Sequence, residues 1–466
     1  MKSVRFWSAL LSLLLLLLPL VSCRGGEEPI GEPEPLAPLE KPRAIPAIEE
    51  VTGYGNAPAW TDAKASDLTY TAVEGGVSIT GYVGEDRALR IPDSLDGQRV
   101  LAIADGAFAE TELTALSLPD SLLHIGEGIL SGASALAYLH TPFLGEAPDA
   151  EQFAGYLFGA LRYTDNSLKV PTTLKTLSLG GVLTALPAYT LFDCNDLEAI
   201  LLPQTITSVG NFAFYSCKRL RYIPLDGLRE IGEYAFHSCS ALTVLTLGEE
   251  LTSIGIGAFE GCNAIRRMTL PFIGGGSEEN AYLGYIFGAA VPEFSRGYYP
   301  EELSEIILSD ACSAIGTDAF YECLSLAAVR LSANTERIGP RAFYGCINLR
   351  AIDLPSALTE IGDNAFLYCY YLESVTFDER IASLTIGINA FAFCRSLTEL
   401  ALPTALTAIP DSCFASCDAL VRIDLGGVGS VGKNAFRGCA ALRSASAREG
   451  IALADGNQRL AESLSQ

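Results

Sequence analysis

The sequence predicts a repeat solenoid: a right-handed, β-rich coil with short strands on its concave face and few or no regular helices. Two observations support this fold class. Ten cysteines recur at intervals of 22 to 25 residues, with one longer gap, and each follows an Ala-Phe-like pair. Leucines recur at fixed offsets from the same pairs. A period of this length with leucines in fixed places is typical of a leucine-rich-repeat solenoid, in which each repeat packs only on its neighbours.

The first 22 residues are predicted to be a signal peptide. Lys2 and Arg5 precede an apolar run at residues 7–20, which is short for a transmembrane helix. The run ends in Leu-Val-Ser-Cys, a tetrapeptide that resembles the bacterial lipobox, so we expect Cys23 to be lipidated. An ordinary secretory signal is the alternative. With lipid on Cys23, the only membrane attachment would be this N-terminal anchor.

Residues 23–66 are rich in proline and glutamate, and their aliphatic residues show no regular period. Such a segment cannot bury enough apolar surface to fold alone, which predicts a flexible linker. Residues 67–100 contain short alternating segments that are expected to form strands capping the end of the solenoid.

The solenoid is predicted to span residues 101–455 in about fourteen rungs. In the rung at residues 349–369, the Ile-Asp-Leu alternation predicts a short strand, and Pro355 ends it because proline has no N–H to donate. Phe366 is expected to fill the space between coils, and Cys369 to close the turn. A polar tail, residues 456–466, is expected to follow the last rung.

Two rungs carry similar insertions, at residues 142–171 and 271–300. Each has its own aromatic residues and rejoins the array through a proline. One interpretation is a structural motif packed on an edge of the solenoid. The other is a binding loop, with Tyr282, Tyr298 and Tyr299 as its exposed aromatic side chains.

The repeat pattern, L-x-x-I-x-L-P-x-x-L-T-x-I-G-x-x-A-F-x-x-C, is clear at residues 397–417. It resembles the BspA-like, or treponemal-type, leucine-rich-repeat family over about residues 77–450. The pattern is irregular at residues 128–130, which lack both Phe and Cys, and at Leu191, which replaces the Phe. The resemblance implies a bacterial surface protein, because most members of the family are surface proteins and some resemble adhesins.

Composition and motifs weigh against several functions. A formal net charge of −24 disfavours nucleic acid as a ligand, because phosphates would be repelled. The three histidines have no serine or cysteine nucleophile at a recognisable spacing, and no Cys-x-x-Cys zinc motif is present. We therefore predict a protein that is not an enzyme and has no catalytic residues, no metal site and no cofactor.

The regularly spaced cysteines should form one column along the core. Column neighbours would be close enough for disulfides, but side chains stacked in parallel do not offer the twisted geometry of that bond. Buried free thiols are the favoured interpretation, and disulfides remain the alternative. The column comprises Cys194, Cys217, Cys239, Cys262, Cys323, Cys346, Cys369, Cys394, Cys417 and Cys439.

Ligand binding is expected on the outward positions of the strands, which successive rungs would align into a stripe of mixed charge. The candidate residues are Tyr138, His140, Tyr222, Arg267, Glu305, Arg330, Asp353, Glu399, Arg422 and Asp424. Arginines are enriched at interfaces, so Arg267, Arg330 and Arg422 are the leading candidates.

Together these features predict a non-enzymatic cell-surface protein that acts in adhesion or protein–protein interaction. The partner would be an extracellular protein or glycan, and the chain a monomer. The alternative function is a glycan-binding lipoprotein that assists a transporter or hydrolase. The expected location is the bacterial cell surface or outer membrane, with the periplasmic face as the alternative.

Overall fold

A computed structural model describes residues 57–276 and 281–465. The predicted signal peptide, Cys23 and most of the predicted linker lie outside the described residues. The predicted repeat solenoid is confirmed, as a parallel β-solenoid of about 16 turns with few helices. Two more turns are present than the sequence predicted, because strands Thr61–Asp62 and Ala88–Arg90 stack on the first predicted rung.

Each rung contributes one strand to a first column, in which neighbouring strands pair in parallel and in register. The central residue of each strand points into the core, while its neighbours point outward in most rungs. The strands of the first column are Thr61–Asp62, Ala88–Arg90, Ala115–Ser117, Tyr138–Thr141, Thr176–Leu179, Ala199–Leu201, Val244–Thr246, Arg267–Leu270, Glu305–Leu308, Ala328–Arg330, Ala351–Leu354, Ser374–Phe377, Glu399–Ala401, Arg422–Asp424 and Ser444–Ser446. An isolated bridge between Ala199 and Tyr222 extends this column.

The opposite wall of the coil is a second column of two-residue strands, with an outward first residue and a buried second one. The glycine that follows these strands allows close stacking: a Cβ on Gly362 would lie 2.5 Å from the backbone nitrogen of Pro340 in the preceding rung. The strands of the second column are His124–Ile125, Ala185–Leu186, Ser208–Val209, Glu230–Ile231, Ser253–Ile254, Ala314–Ile315, Arg337–Ile338, Glu360–Ile361, Thr385–Ile386, Ala408–Ile409, Ser430–Val431 and Ala452–Leu453.

The N-terminal end is covered by an antiparallel hairpin, Leu68–Val73 with Gly76–Tyr82, preceded by a 3-10 helix at Ala65–Asp67. Strand Gln98–Ile103 pairs in parallel with the second strand of the hairpin. The short strand Ser94–Leu95 pairs with Gln98–Ile103 in the antiparallel direction. Residues 57–66 belong to the fold rather than to a flexible linker, because they supply the first strand of the first column and the buried Ala63.

The phenylalanines of the Ala-Phe pairs stack face to face inside the coil. Ring centroids of Phe343, Phe366 and Phe391 are 4.9 and 5.0 Å apart, with planes within 6° of parallel. These side chains are fully buried or nearly so. The stack acts with the aliphatic residues of the two columns to hold neighbouring rungs together, since each ring contacts the rung before and the rung after it.

All twelve cysteines among the described residues are buried free thiols. In most rungs the thiol donates a hydrogen bond to the carbonyl of the preceding rung's phenylalanine, as from Cys369 to Phe343 at 3.2 Å. The same bond joins Cys262 to Phe236 at 3.1 Å. Burial raises the pKa of the Cys262 thiol to about 12, so it stays protonated and able to donate at neutral pH.

Both insertions are enlarged rungs whose 3-10 helices lie in line with the phenylalanine stack. The first contains 3-10 helices Ala154–Phe158 and Tyr163–Asp165 and a short α-helix, Asn166–Lys169. The second contains Leu283–Phe287 and Pro292–Gly297. Backbone hydrogen bonds from Leu130 to Leu157 and from Phe259 to Ile286, both 2.8 Å, continue the inter-rung ladder through them.

Each insertion is fastened to the next rung by a buried polar side chain. Asn166 accepts a hydrogen bond from the Gly155 N–H at 2.8 Å and donates one to the Phe192 carbonyl at 2.9 Å. In the second insertion, the Tyr299 hydroxyl donates to the carbonyl of Tyr321 at 3.2 Å. Phe192 and Tyr321 hold equivalent places in their rungs, so the two insertions satisfy the same carbonyl with different side chains.

The C-terminal segment differs from the expected polar tail. Residues Gln458–Leu464 form an α-helix in which Leu460 is fully buried. Asn457, just before it, accepts a hydrogen bond from the Phe436 N–H at 3.0 Å and donates to the Gly432 carbonyl at 2.9 Å. The segment therefore covers the last rung, as a solenoid end requires.

Candidate functional site

The predicted stripe residues all lie on the first column, but most of the charged ones are already bound to one another. Arg267 and Glu305 are cross-strand partners, with Nε and Oε2 2.6 Å apart. Arg330 reaches the other oxygen of the same carboxylate, 3.2 Å away. Glu305 is only 6% exposed, so the prediction that its side chain is accessible is wrong. The two arginines on either side cover it.

A second pair in the stripe joins Glu399 to Arg422, directly opposite in the ladder, at 3.2 Å. Asp424 accepts a hydrogen bond from the Ser446 hydroxyl at 2.8 Å, while Asp353 is exposed on its strand. The three arginines that the sequence favoured as ligand contacts are therefore held by carboxylates of the same face. A ligand would have to compete with these bonds, which makes the stripe a weaker candidate.

Tyr138 and the histidine of the stripe also contact other side chains of the protein. Trp60 contacts Tyr138 edge-on, with ring centroids 5.5 Å apart. His140 forms a hydrogen bond with the Ser178 hydroxyl at 2.9 Å and lies 3.6 Å from an oxygen of Asp120. Burial lowers the pKa of His140, although nearby Asp120 acts to raise it. The lowered pKa favours a neutral imidazole at pH 7. Tyr222 is half-buried at its bridge.

Two of the three insertion tyrosines are not exposed, contrary to the binding-loop interpretation. Tyr282 is buried and donates its hydroxyl to the Ala289 carbonyl at 3.0 Å, and Tyr299 is buried at the fastening point described above. Tyr298 is 41% exposed, and Phe294, which the sequence analysis did not select, is 65% exposed.

The structure reveals an aromatic surface that the sequence analysis missed. It lies at the turns that flank the phenylalanine stack, between the two insertions, and we call it the inter-insertion aromatic face. Its members are half-buried. They are Tyr163, Tyr189, Phe192, Phe212, Tyr215, Tyr234 and His237.

The rings of this face stack in two rows along successive rungs. In the first row, Tyr163 stacks on Tyr189 at 4.4 Å, and the row continues to Phe212 at 5.3 Å and then to Tyr234 at 5.4 Å. In the second row, Tyr215 lies between its neighbours, 5.0 Å from Phe192 and 4.5 Å from His237.

The backbone of the first row is unusual for aromatic residues. Tyr189, Phe212 and Tyr234 have φ of 66°, 59° and 53°, in the left-handed region. The same place in other rungs also has positive φ and holds residues of several types, such as Gly257, Asp318, Arg341, Asn364 and Ser412. The first row therefore consists of three successive aromatic residues at a position that disfavours bulky side chains.

A shallow groove of about 550 Å³ adjoins this face. Its floor is the second column from Ala185 to Ile254, and Gly275 and Tyr285 of the second insertion contribute to its lining. Within the described ranges, no group of three or more His, Cys, Asp and Glu residues is arranged to hold a metal ion. None of the helices described is long and apolar enough to span a bilayer.

The chain is similar to several solved leucine-rich-repeat structures. A leucine-rich-repeat protein from Bacteroides ovatus ATCC 8483 is 21% identical, with a TM-score of 0.38, over 84% of this chain and 98% of that one. A leucine-rich cell surface protein from Faecalibacterium prausnitzii A2-165 is 19% identical, with a TM-score of 0.25, over 87% and 97%. The T. pallidum leucine-rich-repeat protein is 16% identical, with a TM-score of 0.17, over 72% and 91%.

No protein with a curated functional description matches the chain significantly. The profile described as "BspA type Leucine rich repeat region (6 copies)" matches residues 94–150, 165–276, 295–385 and 382–455. These segments make up well over half of the sequence and contain most strands of both columns and all the described thiols. The protein therefore belongs to the BspA-type leucine-rich-repeat family.

Proposed function

We propose that this protein is a non-enzymatic binding protein of the bacterial cell surface, anchored through lipid on Cys23, and that it holds a protein ligand on the inter-insertion aromatic face. Leucine-rich-repeat solenoids are scaffolds for protein–protein interaction. The observation that carries the proposal is the double row of half-exposed aromatic rings, since aromatic residues are enriched at the centres of protein interfaces.

The arrangement of the rings favours a protein over a glycan. Sugars bind proteins by lying flat on exposed aromatic faces, but here both faces of the central rings are covered by rings of neighbouring rungs, as those of Tyr215 are by Phe192 and His237. The solvent therefore meets ring edges and hydroxyl groups. Such a surface suits the mixed apolar and polar contacts of a protein ligand.

The two insertions extend this surface at both ends. Leu161 and Leu168 of the first insertion are highly exposed, the latter at 80%, and Val291 and Phe294 of the second are exposed as well. About five rungs separate the insertions, which corresponds to about 25 Å at about 4.8 Å per rung. Exposed apolar residues at both ends of an aromatic surface of this length are typical of an interaction site.

The location forms part of the proposal and can be tested separately. The apolar run and lipobox-like tetrapeptide before Cys23 support export and anchoring. Protease treatment of intact cells should remove the chain, because its described part would face the medium. Protection until the outer membrane is opened would place the protein inside and contradict the proposal.

Substitution of one aromatic residue should separate the binding face from the rest of the solenoid. Tyr215→Ser should weaken binding to a protein ligand at least about tenfold, because it removes a central ring of the face. The control is Tyr344→Ser, since Tyr344 holds the equivalent turn position outside the face and also stacks on a neighbouring ring, Tyr321, at 4.9 Å.

The measurement is binding of the full-length chain and both variants to immobilised extracellular matrix proteins, alongside a glycan array. We expect the wild type to bind a protein, Tyr215→Ser to lose that binding, and Tyr344→Ser to keep it within about twofold. Binding to glycans alone, or to neither panel, would contradict the proposal. Equal losses in the two variants would show that the face is not the site.

A further inference from the structure

The groove beside the inter-insertion aromatic face has a floor that a peptide backbone can approach closely. Four outward side chains of the second column form it, and three of them are small: Ala185, Ser208 and Ser253. The fourth is Glu230. Further along the same column, the outward positions carry the larger Arg337, and the groove does not continue there.

The groove is acidic. Among its lining residues in the described part of the chain, the charged ones are Glu230 and Glu233, and both are negative. Arg229, the neighbour of Glu230 in sequence, pairs with Glu250 at 3.5 Å and does not line the groove. A ligand that enters the groove therefore meets two carboxylates with no basic side chain between them.

Aromatic rings stand close to these carboxylates. Burial raises the pKa of Tyr234, and Glu260 and Glu233 raise it further. Tyr285 shows the same pattern, with burial as the main cause and Glu233 adding to it, against a hydrogen bond with the backbone of Ile256. Glu233 and Tyr285 both line the groove, and Tyr234 directly follows Glu233 in the chain. Carboxylates beside tyrosine rings attract cationic side chains by charge and by cation–π interaction.

We infer that this groove binds an extended segment of the protein ligand that carries lysine or arginine, with the cationic side chains placed at Glu230 and Glu233 beside the Tyr285 ring. The inference rests on the proposed function and adds to it the chemistry of the bound segment. The groove and the aromatic face are continuous, because Phe212 and Tyr234 directly follow the lining residues Asn211 and Glu233.

Charge excludes the two occupants that the protein itself could supply. Residues 23–56 are rich in glutamate, and a second copy of the chain would bring a net charge of −24 to an acidic groove. Both would be repelled. A basic segment of another protein is the occupant that the lining complements.

The test uses short fluorescent peptides of alternating lysine and threonine, chosen because β-branched threonine favours the extended form. A glutamine–threonine peptide is the neutral control. Fluorescence anisotropy with the full-length chain, at physiological ionic strength, should give at least about tenfold tighter binding of the lysine peptide. The double variant Glu230→Gln/Glu233→Gln should remove about the same factor.

A matched variant distinguishes the groove from general attraction to an acidic protein. Glu336→Gln/Glu360→Gln makes the same charge change outside the groove, at an exposed second-column position and at the exposed residue just before another second-column strand, and should alter binding by less than about twofold. Equal losses in the two double variants, or no preference for the lysine peptide, would overturn the inference. If that occurred while Tyr215→Ser still abolished protein binding, only the assignment of the groove would be wrong. If Tyr215→Ser left protein binding unchanged, the proposed function itself would be wrong.

Discussion

Phe366→Ala should lower the free energy of unfolding by about 3–5 kcal/mol, the usual cost of removing a buried phenylalanine. The ring is fully buried and stacked between Phe343 and Phe391, so its loss leaves a cavity that contacts three rungs. Because rungs contact only their neighbours, the rungs around Phe366 should unfold first. This local unfolding should appear as a separate transition at a lower urea concentration than the main one.

The control for this prediction is Leu123→Ala, which removes a side chain that is 62% exposed and should change stability by no more than about 0.5 kcal/mol. Urea unfolding, monitored by circular dichroism, compares the two variants with the wild type. A cost at Phe366 no larger than that at Leu123 would mean that the phenylalanine stack does not hold the rungs together.

Glu305→Ala should destabilise the protein by about 2–3 kcal/mol, somewhat less than the usual cost of breaking a fully buried ion pair. The carboxylate is buried and holds Arg267 and Arg330 at the same time, and its removal leaves two like charges without their partner. The destabilisation stays below the cost of breaking a fully buried ion pair because both arginines retain contact with water.

Glu399→Ala is the matched control. Glu399 sits at the same strand position and pairs with Arg422 at 3.2 Å, but its side chain is 59% exposed. Exposed pairs contribute between about 0 and 1 kcal/mol, so the variant should be nearly as stable as the wild type. Thermal unfolding of the two variants measures the difference. Similar losses at both positions would contradict the buried role of Glu305.

The repeating parts of the fold follow directly from the sequence, because a residue at a fixed offset has the same surroundings in every rung. Phe366 and Cys369 take the places that their offset predicts, and the thiol also has a partner that the sequence does not show, the carbonyl of Phe343. That partner belongs to the preceding rung, and only the stacking of coils brings it within reach.

The errors arise where one rung differs from the next. Alternation along a strand predicts that Glu305 points to solvent, and it does lie on the outward side, but the longer side chains of Arg267 and Arg330 cover it. Tyr299 would be exposed under the interpretation of the insertion as a binding loop, but it is buried. Its hydroxyl instead supplies the hydrogen bond that Asn166 supplies in the first insertion.

The inter-insertion aromatic face was missed because only the strand faces and the insertion tyrosines were considered as binding surfaces. The sequence does carry a signal for it: around the plug positions Leu191, Phe214 and Phe236, the residues two before and one after are aromatic or histidine in three successive repeats. Reading each column of the repeat separately, rather than the strands alone, would have found both rows of rings.

The insertions give these rows their boundaries. Each insertion enters the phenylalanine stack with its own helix, so the rungs between them form one uninterrupted block, and exposed side chains such as Leu168 and Phe294 stand at its two ends. A ligand as long as this block would contact both insertions and the aromatic rows at once. This geometry explains why two similar insertions would occur in one solenoid.

Binding by the paired tyrosine variants is the most direct test of where the ligand sits. Both variants, Tyr215→Ser and Tyr344→Ser, are prepared as folded, full-length chains. We predict that only Tyr215→Ser loses affinity for the matrix protein that the wild type binds. If Tyr344→Ser loses as much affinity as Tyr215→Ser, or if Tyr215→Ser binds as tightly as the wild type, the ligand does not rest on the inter-insertion aromatic face.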